Sequence, residues 1–315
     1  MSKLTTEYGI LASAMDPKLS TEYAVSAPAV APWSNDYYIT GAVSSSTSTN
    51  LRGLYYKNEP TDNKGWFPTQ DGQNNLFYTQ HASTISFWYK GVTNSNYITP
   101  WYQMYAADNS SIMGGIEIWF GNSSIYILTT GHINSTADRS FASWSLNSMT
   151  NWTHICVVIP SATTSTLAVT GATVYINGTS LGSPGTALAT SANITQTNIV
   201  AFGLGAISPQ YITNNNTWLT YGGADTIYID EVSTWRKGFS QSEVWEIVGL
   251  NTSDGSGTPA PTDSESHSAS TGGTNYLERY VRCGDLPGDG TALKDALDSN
   301  FELIGNGGND FTAPY

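Results

Sequence analysis

The stretch Trp152-Thr-His-Ile-Cys-Val-Val-Ile159 is apolar on both faces. That is the pattern of a strand in the middle of a two-layered β-structure, where neither face meets water. Downstream, Thr173–Ile176 runs into Asn177-Gly178, the dipeptide best suited to a two-residue hairpin turn because both positions tolerate positive φ. Upstream, Ser83-Thr-Ile-Ser-Phe-Trp-Tyr89 places Ile85, Phe87 and Tyr89 on one face and Thr84, Ser86 and Trp88 on the other. Gly115–Phe120 sends Ile116, Ile118 and Phe120 one way and Glu117 and Trp119 the other. Ser124–Leu128 follows after Gly121-Asn122-Ser123, which predicts a hairpin. Ile199–Leu204 and Thr226–Trp235 supply two further strands.

Phe239–Val248 is the one convincing helical stretch. Ser240 can cap it, and Glu243 three residues on can complete a capping box. Short strands separated by turn signals, with almost no helical periodicity, predict an all-β protein: an antiparallel β-sandwich of jelly-roll type with one short edge helix.

Composition agrees. Charged residues are 12% of the 315, about half the usual share, so Ser, Thr, Asn and Gly must carry solubility. Such residues suit strands and turns better than helix interiors, as does the aromatic set of 10 Trp, 19 Tyr and 9 Phe. The formal net charge of −13 repels phosphate backbones and anionic bilayers, which argues against nucleic-acid binding and against membrane insertion. Two cysteines, Cys156 and Cys283, cannot make a disulfide framework for a chain of this length. Met1–Asp16 lacks the apolar core of a signal peptide, and no stretch is long enough to span a bilayer. The expectation is synthesis in a reducing cytoplasm without Sec-type export.

Four parts are expected along the chain. Residues 1–40 read as an extended N-terminal arm, with an Ala/Pro/Val stretch from Ala24 to Pro32, and 41–250 as the jelly-roll domain. Residues 251–275, without a large apolar side chain, read as a flexible Ser/Thr/Gly/Pro linker. Residues 276–315 read as a C-terminal docking segment, too small to be stable alone, with a helix expected over Ala292–Leu303 from Leu293, Ala296, Leu297 and Phe301.

Ser86-Phe-Trp-Tyr89, Trp152-Thr-His-Ile-Cys-Val157, Val174-Tyr-Ile-Asn-Gly178, Ile229-Asp-Glu-Val-Ser-Thr-Trp235 and the helix Phe239–Val244 occur in this order. In that order they resemble laminin-G-like domains of the concanavalin-A-like lectin and glucanase superfamily. Leu277-Glu-Arg-Tyr-Val-Arg-Cys-Gly-Asp285, Pro287-Gly-Asp289 and Asp295–Asn300 further resemble a segment that follows such domains in structural proteins of marine bacteriophages. Here Cys283 stands where an apolar residue is usual. The resemblance implies binding and scaffolding, with sugars as frequent ligands and a calcium ion (Ca2+) in some members.

An enzymatic reading finds little support. Glucanases of this architecture need carboxylates on alternate positions of one strand, flanking the cleft. Here the strand acids are Glu117 and the adjacent pair Asp230-Glu231, which regular alternation sends to opposite faces. Asp230 reads as a structural residue holding a loop, with a calcium ligand as the alternative. His81, His132, His154 and His267 show no metal spacing, and His154 in its apolar strand reads as a core histidine. Trp152 beside it reads as core too.

Two aromatic loops are the ligand candidates: Tyr97, Trp101 and Tyr102 in one, and Tyr211, Trp218 and Tyr221 in the other. Aromatic faces with Asn and Thr suit a glycan, suit a protein interface, and equally suit a core. The expected function is non-enzymatic. It is that of a virion structural protein, a surface decoration or appendage subunit, with other virion proteins, copies of itself or cell-surface glycans as partners. The alternative is a free carbohydrate-binding module or lectin.

Overall fold

A computed structural model describes residues 39–42, 54–57, 82–91, 98–106, 113–121, 123–130, 139–147, 149–161, 169–188, 198–204, 226–283, 292–294, 296–297 and 302–305. The chain divides into two units, Met1–Asn35 and Asp36–Tyr315, and every element below belongs to the second. Most of the expected arm lies outside the described residues.

The strands among the described residues are β1 (Ile39–Ala42), β2 (Leu54–Lys57), β3 (Ser83–Gly91), β4 (Ile98–Ala106), β5 (Met113–Gly121), β6 (Ser124–Thr130), β7 (Arg139–Ser145) and β8 (Met149–Ile159). They continue with β9 (Thr173–Ile176), β10 (Thr179–Ser180), β11 (Thr186–Leu188), β12 (Asn198–Leu204), β13 (Thr226–Trp235), β14 (Leu277–Val281), β15 (Ala292–Lys294) and β16 (Glu302–Gly305). They form two sheets. One runs β1-β13-β3-β8-β9-β10, with β14 also on β13; the other runs β11-β7-β6-β5-β4-β12-β2-β16-β15. Every pairing is antiparallel. The protein is an all-β antiparallel sandwich, as its strand pattern predicts.

Alternation decides what faces inward. Ile85, Phe87 and Tyr89 of β3 and Ile155, Val157 and Ile159 of β8 share one buried cluster with Ile116, Ile118 and Phe120 of β5 and Ile125 and Ile127 of β6. The rings of Tyr89 and Phe120 meet at 4.6 Å and join the two sheets. Burying each such side chain contributes about 1.5–3 kcal/mol. The Asn177-Gly178 turn joins β9 to β10 with φ of 50° and 78°, the left-handed values that the dipeptide was read for. The Asn177 side chain also accepts the backbone N–H of His154 at 2.8 Å, tying the turn to β8.

A third layer covers the outer face of the smaller sheet. Helix α1 (Gln241–Ile247) carries the expected capping box between Ser240 and Glu243. It lies over the face rather than at an edge. Its Val244 and Ile247 pack in a second buried cluster with Cys156 of β8, Tyr175 of β9, Trp235 of β13 and Tyr280 of β14.

Residues 251–275 do not behave as the expected linker. They fold back along α1 through a 3-10 turn (Ser264–Ser266) and a short helix, α2 (Ser268–Thr271). Thr262 donates to the Ile247 carbonyl at 2.7 Å, and the Ser268 backbone N–H donates to Glu246 at 2.8 Å. Gly255 makes one bend possible. Its φ is +70°, and a Cβ there would lie 2.6 Å from the Trp245 ring. Composition misleads here because caps and side-chain-to-backbone bonds, not apolar bulk, hold the segment in place.

The C-terminal segment docks on its own chain. β14 joins β13, and β16 joins β2. The helix expected over Ala292–Leu303 is replaced by β15 and β16, which pair with each other. The open edge of β2 offers unpaired backbone groups to a strand and overrides the weak local helical period.

Candidate functional site

The outer face of the smaller sheet is read most simply as rows that cross its strands. One row, on β13, β3 and β8, is Trp235, Thr84 and Val158, since Thr84 pairs with both of the others. It is overlain by Phe239, whose ring is tilted at 57° to that of Trp235 with centroids 4.9 Å apart. The next row places Ser86 between Ser233 and Cys156. Beyond it Trp88 pairs with Asp230 on one side and His154 on the other, and all three are buried. The last row is Tyr228 paired with Lys90, with Trp152 beside them, one residue before the Thr153 that pairs with Tyr89.

That last row emerges from cover. Tyr228, Lys90 and Trp152 are half-buried. The Trp152 and Tyr228 rings meet edge-on, with centroids 6.3 Å apart and planes at 62°. The Lys90 ammonium lies 5.1 Å from the Tyr228 centroid, within cation–π range. The expectation that Trp152 is a core residue is therefore corrected. It shares the face of His154, and the rows lose their cover in its direction.

The buried polar groups have structural duties. Ser86 Oγ and His154 Nε2 are 2.8 Å apart, and the Trp88 ring lies edge-on to the imidazole at 5.3 Å. Burial lowers the His154 pKa from 6.5 to about 3, so the ring is neutral. Glu117 accepts a hydrogen bond from the Trp119 indole two residues along β5. Arg236 and Glu278 form an ion pair, as do Lys237 and Glu243.

Asp230 and Glu231 sit at a seam. β1 pairs with β13 over Thr226–Ile229, and β14 takes over from Val232. Between them the register against β3 slips, and Glu231 has φ of +50°, a β-bulge. The bulge breaks the alternation that the sequence assigned to this pair, and both side chains are buried. Asp230 Oδ1 accepts the Glu231 backbone N–H at 2.8 Å, which stabilises the bulge. Among the described residues no group of three His, Cys, Asp or Glu side chains could hold a metal.

The loop candidates fare differently from one another. Trp101 lies in β4 and is fully buried in the sandwich core, so its ring is not offered to a ligand. Tyr102 stands in β4 opposite Glu117 and Gly203. Tyr97, Tyr211, Trp218 and Tyr221 lie outside the described residues.

No protein-family model matches the chain. No curated protein matches it either. Similar solved structures include the binding domain of botulinum neurotoxin serotype D/C, at 13% identity and TM-score 0.38, over 88% of this chain and 60% of that one. A native heptameric SAP-like pentraxin from Limulus polyphemus is similar at 10% identity and TM-score 0.37, over 67% of this chain and 81% of that one. Mouse laminin α1 domains LG4-5 are similar at 11% identity and TM-score 0.35, over 65% of this chain and 44% of that one.

Sequence reading passed over Lys90 and Tyr228. The signal that could have found them is the alternation itself: Lys90 continues the outer-face series of Thr84, Ser86 and Trp88. It did not show that Tyr228 and Trp152 would flank that lysine, because the pairing joins residues far apart in the chain.

Proposed function

We propose that the protein is a non-enzymatic structural subunit of a virus particle, a surface decoration or appendage protein whose sandwich binds glycans. The observation that carries the binding reading is the contrast between buried and half-exposed groups on the smaller sheet. Its carboxylates are engaged in structural contacts, with Asp230 on the bulge, Glu278 on Arg236 and Glu243 on Lys237. What emerges toward solvent is an aromatic pair with a lysine, chemistry that binds and does not cleave. The particle reading is supported by the resemblance of the Leu277–Asp289 stretch to phage structural proteins. A charge-poor Ser/Thr surface and two buried reduced thiols, which suit assembly in a reducing cytoplasm, support it as well.

The second reading is a free lectin, which the same aromatic row favours. Full-length protein should be sized by light scattering and applied to a glycan array. A defined oligomer that retains glycans supports the subunit reading, and a glycan-binding monomer supports the lectin. A monomer that binds no glycan overturns both.

A further inference from the structure

We infer that Lys90, Trp152 and Tyr228 form the binding site, and that its ligand is an acidic saccharide, a sugar ring bearing a carboxylate or a sulfate. The inference rests on the glycan-binding reading above and gives it a place and a ligand class.

The first argument is geometric. Tyr228 on β13 pairs directly with Lys90 on β3, and Trp152 on the adjacent β8 stands one residue before the Thr153 that pairs with Tyr89. Behind them the buried Trp88 and His154 rings, 5.3 Å apart, fill the next row and hold the platform from one side. The two half-buried rings are inclined at 62° with centroids 6.3 Å apart. They form an angled corner rather than a flat slab. Such a corner takes the C–H face of one sugar ring against one aromatic and its edge against the other.

The second argument is electrostatic. The chain carries a net charge of −13 with only 12 basic residues. On this part of the fold Arg236 and Lys237 are committed to Glu278 and Glu243. Lys90 forms no ion pair among the described residues, and its ammonium instead lies over the Tyr228 ring. An ammonium held beside a stacking surface has three donors to offer. Neutral hydroxyls would use them, but an anion uses the charge as well, and the half-buried setting screens it less than open water does. In a chain of net charge −13, a cation beside the rings is what an anionic sugar needs in order to approach.

The third argument is one of scale. A protein partner of ordinary affinity covers about 800 Å² on each side. Among the described residues the one exposed large hydrophobic side chain is Leu297, so none of them extends the row into a broad apolar patch. A site of three side chains matches one or two sugar rings.

The experiment uses the full-length protein, first on a glycan array and then in titrations with lactose, sulfated lactose and sialylated lactose. Wild type should retain acidic glycans over their neutral counterparts and weaken as salt rises. Trp152→Ala should lower affinity about tenfold. Lys90→Gln, which removes the charge but keeps a hydrogen-bonding side chain, should cost about fivefold for the acidic sugars and less for lactose. The sulfated and sialylated arms then tell which anion is preferred.

If wild type binds glycans and both variants bind them equally well, the site is elsewhere and the inference falls while the glycan reading stands. If only neutral sugars bind, the acidic class is overturned. If no glycan on the array binds, the glycan reading itself fails.

Discussion

The phenol of Tyr280 donates to the carboxylate of Glu231, joining strand β14 to the bulge at which β13 changes partners. Both side chains are buried, and burial together with the Glu231 charge pushes the Tyr280 pKa far up, so the phenol keeps its proton. Tyr280→Phe keeps the ring in the second core and removes only the donor. The expected cost is about 1–3 kcal/mol, read as a lower urea midpoint with an unchanged slope. An unchanged midpoint would mean that the bulge does not rely on this contact.

His154 should make the fold acid-sensitive. Burial lowers its pKa from 6.5 to about 3 in the folded protein, so the unfolded chain takes up the proton first. Its contribution is fully present above pH 6.5 and is lost as pH falls toward 3, by about 1.4 kcal/mol per pH unit. His154→Gln should flatten the dependence of stability on pH between 6.5 and 4.5, where carboxylates add little. A wild-type curve already flat in that window would show that the imidazole is solvated.

Neither thiol should react in the native state. Cys156 and Cys283 are free and buried, and desolvation raises both pKa values, with Asp230 and Glu231 adding to the rise at Cys283. The thiolate is the reactive form, so a disulfide reagent should label neither cysteine until denaturant is added. Rapid labelling of either one in buffer would contradict the packing described.

A chain that stops at Leu250 should fold poorly. It would lose β14 from β13 and the layer that sets His267 on Phe239, 4.7 Å away and nearly parallel, and on Trp235 at 5.0 Å. His267 Nδ1 accepts the Ala269 N–H, so Nε2 must carry the proton that goes to the Glu243 carbonyl at 2.9 Å. Removing this layer bares Trp235 and Phe239. The expected readouts are binding of an apolar dye and a broadened melt; a sharp melt at the full-length temperature would make the layer dispensable.

Much of this molecule can be read locally. The alternation of Ile85, Phe87 and Tyr89, the double-faced run Ile155–Ile159, the Asn177-Gly178 turn and the Ser240–Glu243 box each report a backbone conformation through neighbouring residues. In the described structure they hold the places read for them. The polar stretch 251–275 misleads because its order comes from partners such as Glu246 and Ile247, which its composition does not reveal. Asp230 and Glu231 alternate on paper, but the change of partner strands forces a bulge between them.

The sequence by itself therefore determined the class of fold, its inward-facing side chains and its best turns, because period and turn chemistry are properties of a few consecutive residues. Only the tertiary structure decided that a third layer covers the smaller sheet, that Trp101 is core and that Trp152 emerges beside Lys90 and Tyr228. Those outcomes depend on which distant strands pair and on where the covering layer ends, and no local pattern carries that information.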